Sequence, residues 1–129
     1  MPYEITWEPH GAYRKLSGFV SNDDVRKSFT ELHEDDRYNT LLYILHNSSE
    51  VSGYEYAKTD VTLLFANHLG ASIRNPDLHD LVVNTDEAHI EAIRSSMPIK
   101  LLPTPVEFFP TLADARARIA EIVAQSNHP

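Results

Sequence analysis

Hydrophobic and polar residues alternate with two periodicities along this chain, one typical of strands and one typical of helices. Near the N-terminus Tyr3, Ile5 and Trp7 alternate with polar residues. A second stretch of this kind ends near Val20 and is separated from the first by the turn residues Pro9-His10-Gly11. The pattern predicts two half-buried strands joined as an antiparallel hairpin.

A capped helix is predicted directly after the hairpin. Ser21 and Asp24 have the spacing of a capping box, in which the two residues satisfy each other's backbone N–H groups. Val25, Phe29 and Leu32 then recur at intervals of four and three residues. This spacing places all three side chains on one face of a helix, which we expect to pack against the sheet.

A continuous apolar run at residues 41–45 is typical of a central strand that is covered on both faces. The polar residues 46–53 that follow it are rich in Asn, Ser and Gly, and we expect them to form a loop. Three more segments then continue the alternation of helices and strands. They are a helical stripe (Val61, Leu64, Phe65, His68, Leu69), a strand (Leu81, Val82, Val83), and a helix capped by Thr85 or Asp86 with Ile90, Ile93 and Met97 on its inner face.

The chain closes with a strand at residues 106–109 and a helix that begins near Thr111, which again lies three residues before an aspartate, Asp114. The inner face of this last helix is predicted from one apolar series: Leu112, Ala115, Ile119 and Ile122. The complete pattern predicts an α/β fold in one domain spanning residues 1–129. It consists of an N-terminal hairpin followed by strand–helix units, with a mixed, mostly parallel sheet of four or five strands and about four helices.

Composition excludes several classes of function. The net charge of −8 argues against binding to nucleic acid or to an anionic membrane, because either partner requires a basic surface. The chain has no cysteine, so it has neither a disulfide nor a thiolate ligand or nucleophile. There is no secretory signal and no apolar stretch of about 20 residues that would span a membrane, so we expect a cytoplasmic protein.

The order of elements and the closing sequence Phe108-Phe109-Pro110-Thr111-Leu112-Ala113-Asp114-Ala115-Arg116 resemble the SpoIIAA-like group of small bacterial α/β domains of the STAS/SEC14 type. The likeness extends from about Tyr3 to Val123. It implies one of two functions. Anti-sigma-factor antagonists of this group dock on a partner protein and are switched by phosphorylation of a Ser or Thr, located after a central strand at the start of the next helix. The SEC14 relatives bind lipid-like molecules in an apolar cavity.

Residues 46–53 match the position of this switch loop. Asn47-Ser48-Ser49 is similar to the acceptor motif, although Asn replaces its Asp and Glu50 takes the place of its Gly. The resemblance therefore makes Ser48, Ser49 and Ser52 the candidate phosphoacceptors. The alternative is purely structural, because Ser and Asn are also common in loops, where they cap helices and satisfy turns.

A second set of candidates could line a pocket or a docking surface around the same loop. The set consists of His46, Asn47, Tyr54, Tyr56, Phe65 and His68. His46 follows the central strand, where open α/β sheets place ligands, but the aromatic residues could equally pack the helix onto the sheet. No pair of histidines has metal-binding spacing and no glycine-rich phosphate loop is present, so neither a metal nor a cofactor is predicted.

These observations favour a regulatory or protein-interaction module that is not an enzyme, since no nucleophile and base can be assembled from the spacing. Its expected partner is another protein or a second copy of the chain. The alternative is a SEC14-like carrier or sensor of a small apolar ligand or lipid.

Overall fold

In the computed structural model, the described residues form one sheet of five strands with five α-helices packed on its two faces. The structure describes residues 2–55 and 61–126, with side chains at 2–55 and 65–126. The strands are β1 (Tyr3–Trp7), β2 (Gly11–Val20), β3 (Tyr43–Tyr54), β4 (His79–Val83) and β5 (Glu107–Phe109). The helices are α1 (Asn22–Glu34), α2 (Val61–Ala71), α3 (Glu87–Arg94), α4 (Met97–Lys100) and α5 (Leu112–Ser126). Short 3₁₀ turns occupy Asp36–Thr40 and Ser72–Arg74.

The order of strands in the sheet is the same as their order in the chain. β1 and β2 are antiparallel, whereas β2 to β5 are parallel to one another. Each parallel crossover therefore moves one position in the same direction, and right-handed crossovers of this kind place their helices on the same face. The predicted hairpin and the mixed, mostly parallel sheet are confirmed.

Two layers of side chains cover the sheet. On one face, residues of α1, α2 and α3 such as Phe29, Phe65 and Ile93 pack with Leu16 and Val20 of β2. On the other face, α5 packs over the central strands through a second cluster. That cluster contains Tyr43, Leu45, Leu81, Val83, Ala115, Ile119 and Ile122. We call these the helix face and the α5 face of the sheet.

The helix caps read from the sequence are present. Ser21 and Asp24 form both hydrogen bonds of the capping box at the start of α1. Asp86 rather than Thr85 caps α3, by accepting from the backbone N–H groups of Ala88 and His89. Thr111 accepts from the backbone N–H of Asp114 at the start of α5.

The predicted loop at residues 46–53 is wrong, because β3 continues through all of it to Tyr54. Asn, Ser and Gly are typical of turns, but here they occupy a strand with two irregularities. The pairing with β2 shifts between Lys15 and Ser17 and again between Gly18 and Phe19, so that β3 carries an extra residue each time. Bulges of this kind tolerate turn-forming residues inside a strand, and Gly18 itself has a φ of 67°, a value that glycine adopts readily.

Two residues expected on the inner faces of helices are exposed. Met97 is 57% exposed, because the chain breaks after α3 and restarts at Ser96 as the one-turn helix α4. Leu112 is 39% exposed, because it is the first residue of α5 and lies beyond the sheet contact made by Ala115, Ile119 and Ile122. Among the described residues, none of the helices has the length and apolarity needed to cross a membrane.

Candidate functional site

A row of polar side chains lies on the helix face of the sheet, where apolar residues would be expected. Arg14 and His46 are direct neighbours across β2 and β3, and Asp80 of β4 is paired with Ile44, two residues before His46. Arg14 and Asp80 are each only 4% exposed, and His46 is 8% exposed. Burying a guanidinium and a carboxylate costs several kcal/mol for each ion, so the arrangement must be well compensated.

The hydrogen bonds between these groups are all donated in one direction, from Arg14 through His46 to Asp80. A guanidinium can only donate, so Nη1 of Arg14 donates to Nδ1 of His46 at 3.1 Å. The proton of His46 must then lie on Nε2, which donates to Oδ1 of Asp80 at 2.7 Å. Arg14 also donates from Nε to the Ser28 hydroxyl, and its guanidinium lies 4.2 Å from the centre of the Phe29 ring.

The second oxygen of Asp80 is occupied in the same way. Nε2 of His68, on α2, lies 2.8 Å from Oδ2 of Asp80 and donates to it. Nδ1 of His68 is in turn hydrogen-bonded to Nε2 of His33, on α1, at 2.9 Å. The network therefore joins α1 and α2 to three neighbouring strands through a single carboxylate.

The network stabilises one set of protonation states. Burial, reinforced by the charge of Arg14, lowers the pKa of His46 to about 4. Burial also lowers the pKa of His33, to about 3. Burial alone would raise the pKa of Asp80, but its attraction to His68 and the hydrogen bonds from both imidazoles outweigh burial and lower that pKa. Near neutral pH the site therefore contains an ionised carboxylate and uncharged His46 and His33.

Two imidazoles and a carboxylate form a donor set that zinc or ferrous iron could use. His46, His68 and Asp80 offer ligand atoms that lie within 4.8 Å of one another. A metal-bound histidine normally donates its other ring N–H to an acceptor. Nδ1 of His46 instead faces the donor Arg14, so the geometry favours the hydrogen-bonded network over a metal centre.

The same contacts limit acid–base chemistry. A general base needs a ring nitrogen within hydrogen-bonding reach of its substrate. Both ring nitrogens of His46 are engaged, by Arg14 and Asp80, and both nitrogens of His68 are engaged, by Asp80 and His33. Neither imidazole presents a lone pair to a bound molecule in this arrangement.

A cavity of about 50 Å³ lies above this polar row, beneath α1, α2 and α3. Four of the predicted pocket residues line it: His46, Tyr54, Phe65 and His68. Tyr54 stacks on His89 of α3, with ring centroids 4.3 Å apart and an angle of 11° between the planes, and His89 also lines the cavity. Tyr56, the other aromatic residue predicted here, lies outside the described residues.

The remaining predicted residues separate onto different sides of β3. Ser48 lines the cavity on the helix face, where it is 7% exposed. Asn47 faces the opposite side and donates to the Tyr13 hydroxyl, while its side-chain oxygen accepts from the Ser49 hydroxyl. Ser49 and Ser52 are exposed. The candidates therefore do not form one loop cluster.

Sequence reasoning missed Arg14 and Asp80, the two charged residues of the network. A signal for Arg14 was present, because it shares the strand parity of Ala12 and Leu16 and so had to face the core. Asp80 had no such signal, since it comes just before a short apolar strand and reads as part of a loop. His33, at the end of α1, was equally inconspicuous.

Ser48 and Ser49 are expected to respond differently to alanine substitution. Ser48 donates to the Val83 carbonyl and accepts from the Asn84 amide, so Ser48→Ala removes two buried hydrogen bonds. We expect it to lower the free energy of unfolding by about 1–2 kcal/mol in urea titrations. Ser49→Ala, at an exposed position, should change it by less than about 0.5 kcal/mol. Equal effects would contradict the separation of the two hydroxyls.

Two solved structures share this architecture. One is a protein of the DUF3478 family from Shewanella loihica PV-4, described as having a SpoIIAA-like fold, with 14% identity, a TM-score of 0.56 and 90% of each chain covered. The other is the anti-sigma factor antagonist SpoIIAA in its unphosphorylated form, with 10% identity, a TM-score of 0.62, and coverage of 92% of this chain and 97% of that one. No family model and no curated protein matches the chain.

The chain therefore has a SpoIIAA-like fold of the STAS type, as its sequence pattern predicted. At these levels of identity the likeness concerns the fold alone, and any function must be argued from the site.

Proposed function

We propose that the protein is a regulatory module that acts by docking on another protein, and that it docks through the part of the α5 face that α5 leaves uncovered. α5 packs on β3, β4 and β5. Five residues of β1, β2 and the second half of β3, which we call the open face, lie beyond it: Glu4, Lys15, Phe19, Ser49 and Glu50.

One observation carries this proposal: Phe19 is 61% exposed. It lies directly after the irregularity at Gly18, opposite Gly53, which adds no side chain to cover it. An exposed aromatic side chain on a rigid strand loses little conformational entropy on binding, and aromatic residues dominate the energetics of protein interfaces.

Charge indicates the kind of partner. Glu4 and Glu50 are exposed on the open face, and the ammonium group of Lys15 is already paired with Glu50 at 2.6 Å. The chain as a whole carries a net charge of −8. A second copy would bring the same charge to the contact, so the partner that fits has an apolar socket for Phe19 with basic residues around it.

A lipid-carrying function of the SEC14 type has less support. The cavity of about 50 Å³ is well below the roughly 300–1,000 Å³ of sites that bind drug-sized ligands. An acyl chain would need the helices to move apart.

The docking proposal predicts that Phe19→Ala weakens binding. A photo-crosslinking amino acid at position 19, introduced in the native host, should capture a basic protein whose identity is then read by mass spectrometry. With that protein purified, we expect Phe19→Ala to raise the dissociation constant measured by calorimetry at least tenfold. A buried aromatic anchor contributes about 2 kcal/mol or more to binding.

Ile73 provides the matched control, because it is 83% exposed and lies on the 3₁₀ turn after α2, away from the open face. The crosslinker at position 73 should not capture the same protein, and Ile73→Ala should bind normally. Capture of the chain by itself would assign the face to a homodimer. Equal effects at both positions would remove the docking proposal.

The three candidate phosphoacceptors differ in how accessible they are to a kinase. Ser49 belongs to the open face, and Ser52 is exposed on the same strand, so a kinase could reach both. A phosphate on either would add about 1.5 to 2 negative charges to a surface that is already acidic. The Ser48 hydroxyl is buried and forms two hydrogen bonds, so its phosphorylation would require β3 to open.

A further inference from the structure

We propose that the outer edge of β1 is a homodimer interface, at which β1 of one copy pairs antiparallel with β1 of a second copy and joins the two sheets into one. The order of strands in the sheet leaves β1 and β5 at its two edges. Edge strands present unpaired backbone N–H and C=O groups, and proteins usually block such an edge or pair it. The two edges of this sheet differ in how well they are blocked.

β5 is a poor template for a further strand, whereas β1 is a good one. β5 has only three residues, and prolines at positions 105 and 110 flank it. β1 has five residues, contains neither proline nor lysine, and pairs with β2 without an irregularity from Tyr3 to Trp7. Proline, lysine and bulges are the usual means of protecting an edge strand. Since β1 has none of them, its edge is open to pairing.

The pairing with β2 shows which backbone groups of β1 point outward. The N–H of Ser17 donates to the Pro2 carbonyl. Hydrogen-bonded residues alternate along an antiparallel pair, so Glu4 and Thr6 also bond to β2. The N–H and C=O groups of the other three residues of β1 point away from β2, and no described strand lies on that side. These three residues are Tyr3, Ile5 and Trp7.

A two-fold axis through Ile5 uses all of these outward groups. Antiparallel pairing about that axis places Ile5 opposite Ile5 of the second copy, and Tyr3 opposite Trp7 of the second copy. Each of the three residues in each copy then uses its N–H and its C=O, which gives six hydrogen bonds. The apolar side chains of these residues all lie on the helix face, so they come together across the interface.

The neighbouring axes fit less well. An axis through Glu4 would place the two Glu4 carboxylates directly opposite each other, an arrangement that is destabilising. An axis through Thr6 would bring Tyr3 opposite Pro9, which has no N–H to donate. With the axis through Ile5, each Glu4 instead lies opposite Thr6 of the other copy, whose hydroxyl can donate to the carboxylate. The register is therefore set by the sequence of β1 itself.

Charges on α1 favour the same symmetry. α1 lies beside this edge on the helix face, where the Tyr3 hydroxyl donates to Glu31 at 2.8 Å. Beyond an internal pair of opposite charges near its start, the exposed flank of α1 carries Lys27 in its N-terminal half and Glu31 and Glu34 in its C-terminal half. The two-fold axis makes the two α1 helices antiparallel. The basic half of each helix therefore lies toward the acidic half of the other, which is complementary.

Hydrogen exchange is the first test, because the natural chain contains its own control. In the dimer, the backbone amides of Tyr3, Ile5 and Trp7 should exchange slowly at high protein concentration and rapidly after dilution. The amides of Glu4 and Thr6 bond to β2 within one copy and should be protected at every concentration. Sedimentation equilibrium on the same samples should give twice the mass of the chain wherever the Ile5 amide is protected.

Substitutions in β1 test the register. Ile5→Pro removes the central N–H, which takes no part in the pairing with β2, so it should abolish the dimer and keep the fold. Thr6→Glu places a carboxylate opposite Glu4 at two symmetric positions and should raise the dissociation constant of the dimer about tenfold. Adding Glu4→Lys to Thr6→Glu makes each pair attractive and should restore the natural value. Ala88→Glu, which adds the same charge at an exposed position on α3, should have no effect.

Several results would overturn the proposal. One is a monomer at every concentration up to the solubility limit. Another is a dimer that Thr6→Glu leaves intact, because its interface would then lie elsewhere; this arm decides the matter even where circular dichroism shows that Ile5→Pro does not fold. Loss of the dimer in Phe19→Ala would place the second copy on the open face. Capture of a different protein by a photo-crosslinker at position 6, with no capture of a second copy, would assign the edge to a strand of that protein.

The dimer has a consequence for docking that rests on the function proposed above. The two-fold axis runs perpendicular to the joined sheet, so both open faces lie on the same side and present two Phe19 side chains to a partner. Two linked contacts bind more tightly than one when the partner's geometry allows both. The exchange and sedimentation experiments use the isolated chain, so failure of the docking proposal would leave their outcome unchanged.

Discussion

Replacing Asp80 by asparagine is expected to lower the free energy of unfolding by about 3–5 kcal/mol, because removing one partner from a buried ionic network leaves the others uncompensated. The carboxylate of Asp80 accepts an N–H from His46 on one oxygen and from His68 on the other. An amide would keep one acceptor and turn its NH₂ group toward the second imidazole N–H. It would also remove the negative charge that balances Arg14.

Urea unfolding of Asp80→Asn measures this effect directly, with Asp77→Asn as the control. Asp77 is exposed and precedes β4 by two residues, so its substitution should change stability by less than about 0.5 kcal/mol. The double variant Arg14→Met/Asp80→Leu should lose much less than the sum of the two single losses, because no unpaired charge remains. Additive losses would show that the two ions do not belong to one network.

Acidification is expected to destabilise the protein between pH 6.5 and pH 4. The folded-state pKa of His46 is about 4, against its ordinary 6.5, so below pH 6.5 the unfolded chain takes up a proton that the folded chain does not. The contribution of His46 is therefore fully present above pH 6.5 and is lost progressively as the pH falls toward 4. From pH 7 to pH 5 this amounts to about 2 kcal/mol. His33, with a pKa of about 3, adds to the loss and extends it to lower pH.

Unfolding titrations at pH 7, 6 and 5 give the slope of stability against pH, which counts the protons taken up on unfolding. His33→Phe removes one titrating ring, while its aromatic side chain can still stack on Phe29, and should reduce the slope. His10→Phe, at an exposed turn position, should leave it unchanged. A flat profile across this range would mean that His46 and His33 are not buried as described.

The architecture followed from the sequence because its signals are local. Alternation in β1, the capping box of α1 and the apolar run of β3 each depend on residues close together in the chain. The error at residues 46–53 arose for the same reason. Composition there indicates a turn, but pairing with β2 on one side extends the strand, and the two bulges absorb the residues that do not fit a regular ladder.

The buried network could not be predicted because it is assembled from five separate elements. His46 and His68 were singled out, one for its position after a strand and the other for its place on a helical stripe. Their connection runs through Asp80, and the register of β4 against β3 decides that this carboxylate faces inward. Residue spacing along a chain carries no information about a register between strands 34 residues apart.

The identical order of strands in the sheet and in the chain has a consequence for how the protein folds during synthesis. Each new strand leaves the ribosome directly after the strand with which it will pair. The sheet can therefore grow by adding one strand at a time to the same edge, and no strand has to insert between two others. One contact does not follow this order. Arg116 of α5 forms a bidentate ion pair with Glu8, at the turn of the first hairpin, across 108 residues. The first hairpin therefore acquires this partner only after all five strands have been synthesised.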